Sequence, residues 1–342
     1  MSLRIRPLDA PTCPAWDAYV RSASDGTFFH LSAWRDVLRQ SFGHSAHYLL
    51  AERDGSVVGV LPLARLRSLF FGDALVSTPF CVYGGVVAED ASVRAALEDE
   101  ACRLATQLGV DYLELRNRAV TRAEWPTKDL YVTFRKGIAP DHEKNLNAIP
   151  RKQRAMVRKG ISAGLTARVE TSVDTLYDIY SKSVRNLGTP VFARRYLQVL
   201  AKTFRKDCEI TTILNGREPV ASLMSFYFRD EVLPYYGGGN ALARPVAGND
   251  FLYWDLMQRA ANRGARMFDY GRSKRGTGSF SFKEHWGFEA QPLTYQYFLV
   301  RAPAMPNLSP TNPKYGHAIA LWRKLPLRLT QLIGPPVAKY LG

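Results

Sequence analysis

Residues 268–287 read Phe-Asp-Tyr-Gly-Arg-Ser-Lys-Arg-Gly-Thr-Gly-Ser-Phe-Ser-Phe-Lys-Glu-His-Trp-Gly, and cations alternate with aromatics along them. Arg272, Lys274 and Arg275 occupy a glycine-broken stretch, and Lys283 is flanked by Phe280, Phe282 and Trp286. A cation held in a partly dry aromatic site stabilises negative charge that develops on oxygen, as in the tetrahedral oxyanion of acyl transfer to an amine. It can equally neutralise a donor phosphate, with the rings excluding water or stacking on a base. The structural alternative is a lysine laid over core aromatics. Asp269 could accept a proton or orient an amine. His285 could act as a base, although a lone histidine is more often structural.

Two further stretches suit an anion. Residues 151–159, Arg-Lys-Gln-Arg-Ala-Met-Val-Arg-Lys, follow Pro150, which suits a first helical turn. On a helix Arg151, Arg154 and Arg158 share one face. Like charges so placed repel unless an anion or acids pair with them, and a phosphate matches arginine's bidentate geometry. The alternative is a solvated linker helix. Farther on, Gly237-Gly238-Gly239-Asn240 and Arg244-Pro-Val-Ala-Gly248 lead into Asn249-Asp250. The free amides of a helix N-terminus there would bind an anion, and a glycine loop with an Asn or Asp N-cap is the plain reading.

The elements that must carry these residues occur twice in one order. A strand at 48–52, the turn Asp54-Gly55, a strand at 57–66 and an apolar run ending in Tyr83-Gly84-Gly85 precede a helix at 91–108, closed by Gly109, and a strand at 110–116. The series returns as a strand at 209–214, Asn215-Gly216, strands at 220–228 and 232–236, Gly237-Gly238-Gly239, a helix at 249–263 closed by Gly264, and a strand at 266–270. A shared order at a spacing of roughly 155 positions argues for duplication of one α/β unit. That unit is a mixed, mainly antiparallel sheet with flanking helices. The lack of a G-x-G-x-x-G after a first strand argues against a dinucleotide-binding fold.

Composition narrows the function classes. The 342 residues allow two domains, and 46% apolar with 23% charged residues is a globular balance. The net charge of +15 favours an anionic partner such as nucleic acid, a phosphorylated substrate or an anionic membrane. Cys13, Cys81, Cys102 and Cys208 form no C-x-x-C pair, so neither a metal nor a redox motif is expected. Apolar runs are interrupted before membrane-spanning length, and residues 1–14 have no signal-like apolar core; both features read as cytoplasmic.

The sequence Asp269-Tyr270-Gly271, then Phe282-Lys283, then Trp286-Gly287 resembles the FemAB family, whose members carry two GNAT-like domains and transfer amino acids from aminoacyl-tRNA to peptidoglycan precursors. The resemblance runs over roughly residues 25–300. It implies that Lys283 and Phe282 serve the transferred group and the tRNA end. Phe29-His-Leu-Ser32-Ala-Trp34 is similar to the family's early Q-S-x-x-W element without its glutamine, which implies substrate contacts at Trp34 and Arg39. The family's basic linker helix matches 151–159. GNAT acetyltransferases hold the coenzyme A pyrophosphate with Q/R-x-x-G-x-G/A; here the run is Arg244-Pro-Val-Ala247-Gly248-Asn249, with both motif glycines replaced. Residues 149–159 and Leu187-Gly-Thr-Pro-Val-Phe192 resemble a subgroup found with exosortase (PEP-CTERM) and exopolysaccharide systems, which implies a nucleotide- or lipid-linked sugar as acceptor.

The expected layout is a GNAT-like domain at 1–140, a basic linker helix at 141–168, a second GNAT-like domain at 169–302 and a Pro-rich basic amphipathic tail at 303–342. The expected activity is N-acyl transfer from aminoacyl-tRNA or acyl-coenzyme A to an amine of a phosphorylated or cell-envelope precursor, with no tightly bound cofactor and no metal. Catalytic roles fall on Lys283, Phe282 and Asp269. Acceptor or donor contacts fall on Arg151, Arg154, Arg158, Trp34, Arg39, Arg272 and Trp286, and donor phosphate on Arg244, Gly248, Asn249 and Asp250. The rivals are a coenzyme A-dependent acetyltransferase and a non-catalytic polyanion binder with salt-steep RNA affinity. The tail, with Pro303, Pro306, Pro310 and Pro313 at its start, reads either as a helix docked on the body or as a segment laid on the inner membrane face.

Overall fold

The computed structural model describes residues 3–306 and 316–341, so Pro310 and Pro313 lie outside the described residues. The chain divides into two units, neither contiguous: Met1–Tyr131, Pro292–Asn312 and Lys339–Gly342 form one, Val132–Gln291 and Pro313–Ala338 the other. This differs from the expected division at 140 and 302, because strands near those points pair with sheets that sequence order alone does not reveal.

The first unit opens with β1 (Leu3–Pro7), α1 (Cys13–Ser22) and α2 (Trp34–Phe42), followed by β2 (Ser45–Ala46), β3 (Leu49–Arg53), β4 (Ser56–Leu61), β5 (Leu63–Ser68), β6 (Gly72–Ser77), β7 (Val87–Ala88), α3 (Ala91–Leu108), β8 (Tyr112–Asn117) and β9 (Thr127–Lys128). The expected strand at 57–66 is broken at Pro62, which has no N–H for a ladder. β4 therefore joins the sheet β1-β3-β4-β7, and β5 joins the sheet β2-β5-β6-β8. α3 follows the reading closely. The Asp90 carboxylate caps the Val93 N–H at 2.9 Å, Gly109 closes the helix at φ +60°, and Val93, Leu97, Ala101 and Ala105 line its buried face.

The second unit holds β10 (Tyr131–Gly137), α4 (His142–Asn147), α5 (Arg151–Ser162), β11 (Thr166–Glu170), α6 (Asp174–Leu187), α7 (Arg194–Thr203), β12 (Cys208–Asn215), β13 (Glu218–Phe228), β14 (Glu231–Gly239), α8 (Gly248–Asn262), β15 (Met267–Asp269), β16 (Ser273–Lys274), α9 (Gly278–His285) and β17 (Ala290–Pro292). Its sheet runs β11-β12-β13-β14-β15-β10-β16, with β17 also on β10. The basic segment is not a free linker. α5 packs on α8, and Gly160 lies so close that an added Cβ would meet the Phe251 Cβ at 2.8 Å.

The chain then returns to the first unit with β18 (Thr294–Leu299), which pairs antiparallel with β8 from Thr294↔Asn117 to Leu299↔Tyr112. Two closing helices, α10 (Gly316–Lys324) and α11 (Leu327–Ala338), pack on α6 of the second unit. Gly188 sits against Ile319, Arg323 donates to the Leu187 carbonyl at 3.2 Å, and Gly334 lies against Val191. The docked alternative thus describes α10 and α11. Among the described residues no helix is long and apolar enough to cross a membrane.

Candidate functional site

Each unit contains a parallel strand pair, β6–β8 in the first and β14–β15 in the second, and the two pairs differ in how the chain continues beyond them. In the first unit β6 and β8 pair from Ala74↔Tyr112 to Val76↔Glu114. The chain after β6 then turns back onto β8. The Arg116 N–H donates to Ser77 Oγ at 2.8 Å, its guanidinium to the Cys81 carbonyl at 2.6 Å, and the Gly85 N–H to the Arg116 carbonyl at 3.2 Å. Tyr295 Oη seals the same segment through the Val82 carbonyl at 2.7 Å. The seam beyond this parallel pair is closed by the protein itself.

In the second unit β14 and β15 pair only at Glu231↔Met267 and Val232↔Phe268, while β14 continues on β13 as far as Gly239. A register shift opposite Met224 and Ser225 leaves Tyr235 bulged beside Pro234, which has no N–H to donate. The pairing with β15 has ended before this bulge, and α8 begins at Gly248 after β14 ends at Gly239. The glycines between are packing devices: a Cβ on Gly237 would meet the Ser222 carbonyl at 2.6 Å, and one on Gly238 the Ser183 hydroxyl at 2.6 Å. Gly248 begins α8 against Ala243 and Val220, and the Asn249 side chain fills the space beside Gly239. Arg244 is exposed.

The predicted Phe-Lys motif lies on α9, whose start is capped by Thr277 through the Phe280 N–H. Lys283 is only 8% exposed, and its ammonium donates to the carbonyls of Tyr270, Gly271 and Arg272 at 2.7, 2.9 and 3.2 Å. An ammonium has three protons, so all its donors are engaged. This corrects the expectation of a lysine aimed at a substrate oxyanion: in this state Lys283 clamps the turn that follows β15. Burial pushes its pKa down to about 7, Asp269 opposing and Arg272 reinforcing the shift. The Phe134 ring lies 5.5 Å from its nitrogen.

Asp269, at the end of β15, is buried and already held. It accepts from the Gly271 N–H at 2.8 Å and from the Thr133 hydroxyl at 3.4 Å, and it faces Arg135 Nε at 3.2 Å. Phe282 is half-buried against Tyr253 and Trp286, with centroids 5.5 and 6.2 Å away. Trp286 is fully buried and donates its indole N–H to Asp250 at 3.2 Å. Asp250, in the first turn of α8, also accepts from Gln153 of α5, and burial raises its pKa. Gln153 and Asp250 thus join α5, α8 and α9. Sequence reasoning missed this link because the partners stand far apart in the chain. Tyr253, one turn beyond Asp250 on α8, and Tyr270 were also missed, although their aromatic neighbours signalled them. The Tyr270 hydroxyl is buried without a hydrogen-bond partner among the described residues, and burial holds it protonated.

Arg151 and Arg158 of α5 are exposed with Lys152 and Lys159, whereas Arg154 donates to the Asn147 side chain at 2.7 Å. Arg272 is half-buried, and His285 is exposed. In the first unit Trp34 is 0% exposed and donates its indole N–H to the Phe28 carbonyl at 3.0 Å, so it is a core residue and not a contact surface. Arg39 is exposed and pairs with Asp36 at 2.8 Å. The structure brings Lys283, Asp269, Phe282, Trp286 and Asp250 into one neighbourhood and leaves Trp34 out of any site. The four cysteines are free thiols, and no cluster of potential metal ligands occurs among the described residues.

Residues 144–284 match the family described as the acetyltransferase (GNAT) domain. No curated protein matches the chain. Solved structures share its fold. FemX is 14% identical over 92% of this chain and 100% of its own, with a TM-score of 0.69. A tandem GNAT protein of the clavulanic acid biosynthesis pathway is 13% identical over 89% of this chain and 100% of its own, at 0.56. The C-terminal domain of a protein described as a lysylphosphatidylglycerol synthetase, from Agrobacterium fabrum, is 14% identical over 84% of this chain and 92% of its own, also at 0.56. The chain has the fold of tandem GNAT proteins, and its residues 144–284 match the acetyltransferase (GNAT) domain, an acyltransferase module.

Proposed function

We propose that this chain moves an aminoacyl or acyl group from an anionic donor onto an amine of a phosphorylated or lipid-linked envelope precursor, with the donor seated in the second unit. The observation that carries this is the contrast between the parallel pairs. The β6–β8 seam is closed by its own chain, whereas the β14–β15 pairing stops after two residue pairs, and α8 packs on β14 of the same sheet. The free N–H groups at the start of α8 favour a donor phosphate.

An aminoacyl-tRNA donor is favoured over acyl-coenzyme A by two features. Ala247 and Asn249 replace the glycines of the pyrophosphate loop, and Asn249 packs on Gly239. α5 also presents Arg151, Lys152, Arg158 and Lys159 to solvent on the same unit as the seam. FemX and the lysylphosphatidylglycerol synthetase, the second named for joining lysine to a lipid, agree with this reading. The 149–159 and 187–192 runs point to the exopolysaccharide-associated subgroup and a nucleotide- or lipid-linked sugar acceptor. In this mechanism the acceptor amine attacks the donor carbonyl, the carbon–nitrogen bond forms and the donor hydroxyl or thiol leaves. Lys283 fixes the turn from Tyr270 to Arg272, Asp269 fixes its start, and the half-buried Phe282 and Tyr253 supply an apolar wall that the buried Trp286 backs from the core.

Binding of labelled aminoacyl-tRNA and labelled acetyl-coenzyme A, measured separately across salt concentrations, tests the proposal. Aminoacyl-tRNA should bind in preference to deacylated tRNA, and Arg151→Glu with Arg158→Glu should flatten the salt dependence by about one to two phosphate contacts. Binding of coenzyme A alone would move the chain to the acetyltransferase reading. Salt-steep RNA binding without discrimination or turnover would move it to the polyanion-binding reading.

A further inference from the structure

The first unit carries a feature that acyl transfer does not use. β5 and β6 form a hairpin whose pairing ends at Ser68↔Gly72, and its tip presents Leu69 and Phe70 at 100% and 91% exposure. The tip is ordered: Ser68 Oγ accepts the Phe70 and Phe71 N–H groups, each at 3.2 Å, and Gly72 takes φ +88°. Two adjacent large apolar side chains held in water at a structured tip are costly unless something covers them.

The base of the hairpin carries positive charge. A cleft of about 390 Å³ there is lined by Arg65, Arg67, Lys339 and His44 together with Phe42 and Tyr340, and none of its lining residues is a carboxylate. Asp73 takes Arg65 in a two-point pair at 2.8 and 2.6 Å. It stands farther from Arg67, at 3.8 Å, whose side chain is largely exposed. The Phe71 ring approaches Tyr340 at 6.4 Å, placing aromatics between the apolar tip and the cations. An apolar tip, an aromatic collar and a cationic base are the three layers that match acyl chains, interface and anionic headgroups of a bilayer.

We infer that this hairpin docks the protein on an anionic membrane surface, with Leu69 and Phe70 inserted among the lipids and Arg67 and Lys339 on headgroup phosphates. A second protein would answer the exposed apolar pair but not the cations of Arg67 and Lys339 beneath it, and the net charge of +15 favours the anionic surface. The inference is independent of which group the enzyme transfers, since it concerns binding alone.

The test is co-sedimentation of the full chain with vesicles of phosphatidylcholine, pure or doped with phosphatidylglycerol, for wild type, Leu69→Ser/Phe70→Ser and Arg67→Glu. Wild type should bind the doped vesicles and not the pure ones. The double variant should lose about tenfold or more in partitioning, given the two apolar anchors removed. Arg67→Glu should lose at least about fivefold at low salt. Unchanged melting temperatures would show that the exposed substitutions leave the fold intact. In Phe70→Trp, tryptophan emission should shift to the blue only with doped vesicles. Absence of wild-type binding, equal binding by the double variant, or an unshifted Phe70→Trp would each overturn the inference. So would displacement from vesicles by inorganic phosphate alone at matched ionic strength, which would assign the cleft to a small anion. A wild-type dimer that the double variant splits without any vesicle binding would assign the tip to a second copy.

Discussion

Replacing Lys283 with methionine tests the clamp through its effect on stability as well as activity. The amine is buried among aromatics and its pKa falls from 10.5 to about 7. The folded value lies below the unfolded one, so between about pH 7 and 10.5 the unfolded chain carries the extra proton. Unfolding in that window takes up a proton, so raising the pH disfavours the unfolded chain and stabilises the fold; lowering it towards 7 loses that contribution. The slope approaches about 1.4 kcal/mol per pH unit, which integrates to about 2 kcal/mol between pH 7 and 9. Methionine fills a similar volume and cannot titrate. Urea unfolding of wild type and Lys283→Met at matched pH values should therefore show their stability difference moving by about 2 kcal/mol in favour of wild type from pH 7 to 9. Taking the difference cancels Cys102 and Cys208, whose thiols burial raises to about 12 in both proteins. Transfer activity should fall in the variant, because the carbonyls of Tyr270, Gly271 and Arg272 lose their common donor. A pH-independent difference would refute the reasoning: the three carbonyls would then hold the proton against desolvation, and Lys283 would be a permanent cation.

Trp34→Ala should destabilise the first unit by about 3–5 kcal/mol, read by urea or thermal unfolding, as expected for a core indole; a substrate-contact role would instead raise KM and leave the melting temperature unchanged. Gly237→Ala should cost about 1–3 kcal/mol, because the new methyl meets backbone atoms of Ser222 and Leu223 at 2.6 and 3.0 Å. Gly278→Ala, whose Cβ would meet nothing within 4 Å at the start of α9, should be neutral or slightly stabilising in the same assay.

Local signals made much of the fold legible. Asp90 and Gly109 bounded α3, Asn215-Gly216 marked the β12–β13 turn with Gly216 at φ +62°, and the doubled order of elements announced two related units. What stayed hidden was long-range pairing. Nothing in residues 294–299 says that they will lie on β8, because a strand's alternation records which face is buried and not which neighbour it meets. In the same way the strand expected at 57–66 ran through Pro62, which is the point at which consecutive strands enter different sheets.

The candidate site divides along the same line. The motif placed Phe282, Lys283 and Trp286 together because α9 carries the first two and Trp286 caps its C-terminus, and residue type correctly suggested a buried cation among rings. Type could not say which acceptors that cation would face. The three carbonyls belong to a turn whose course is set by Asp269 accepting the Gly271 N–H, which places consecutive carbonyls within reach of one ammonium. Trp34 shows the converse: its motif-like setting suggested a contact surface, yet Phe28 and Phe29 enclose it, with ring centroids 5.7 and 6.0 Å away. The same logic separates the two units. Their parallel pairs descend from one pattern, and the difference lies in the segment after β6, where Arg116, Ser77 and Gly85 bind the chain to β8. One returning segment is thus enough to make two copies of the same sheet differ at the seam beyond their parallel pair, and the proposed donor seat in the second unit rests on that difference.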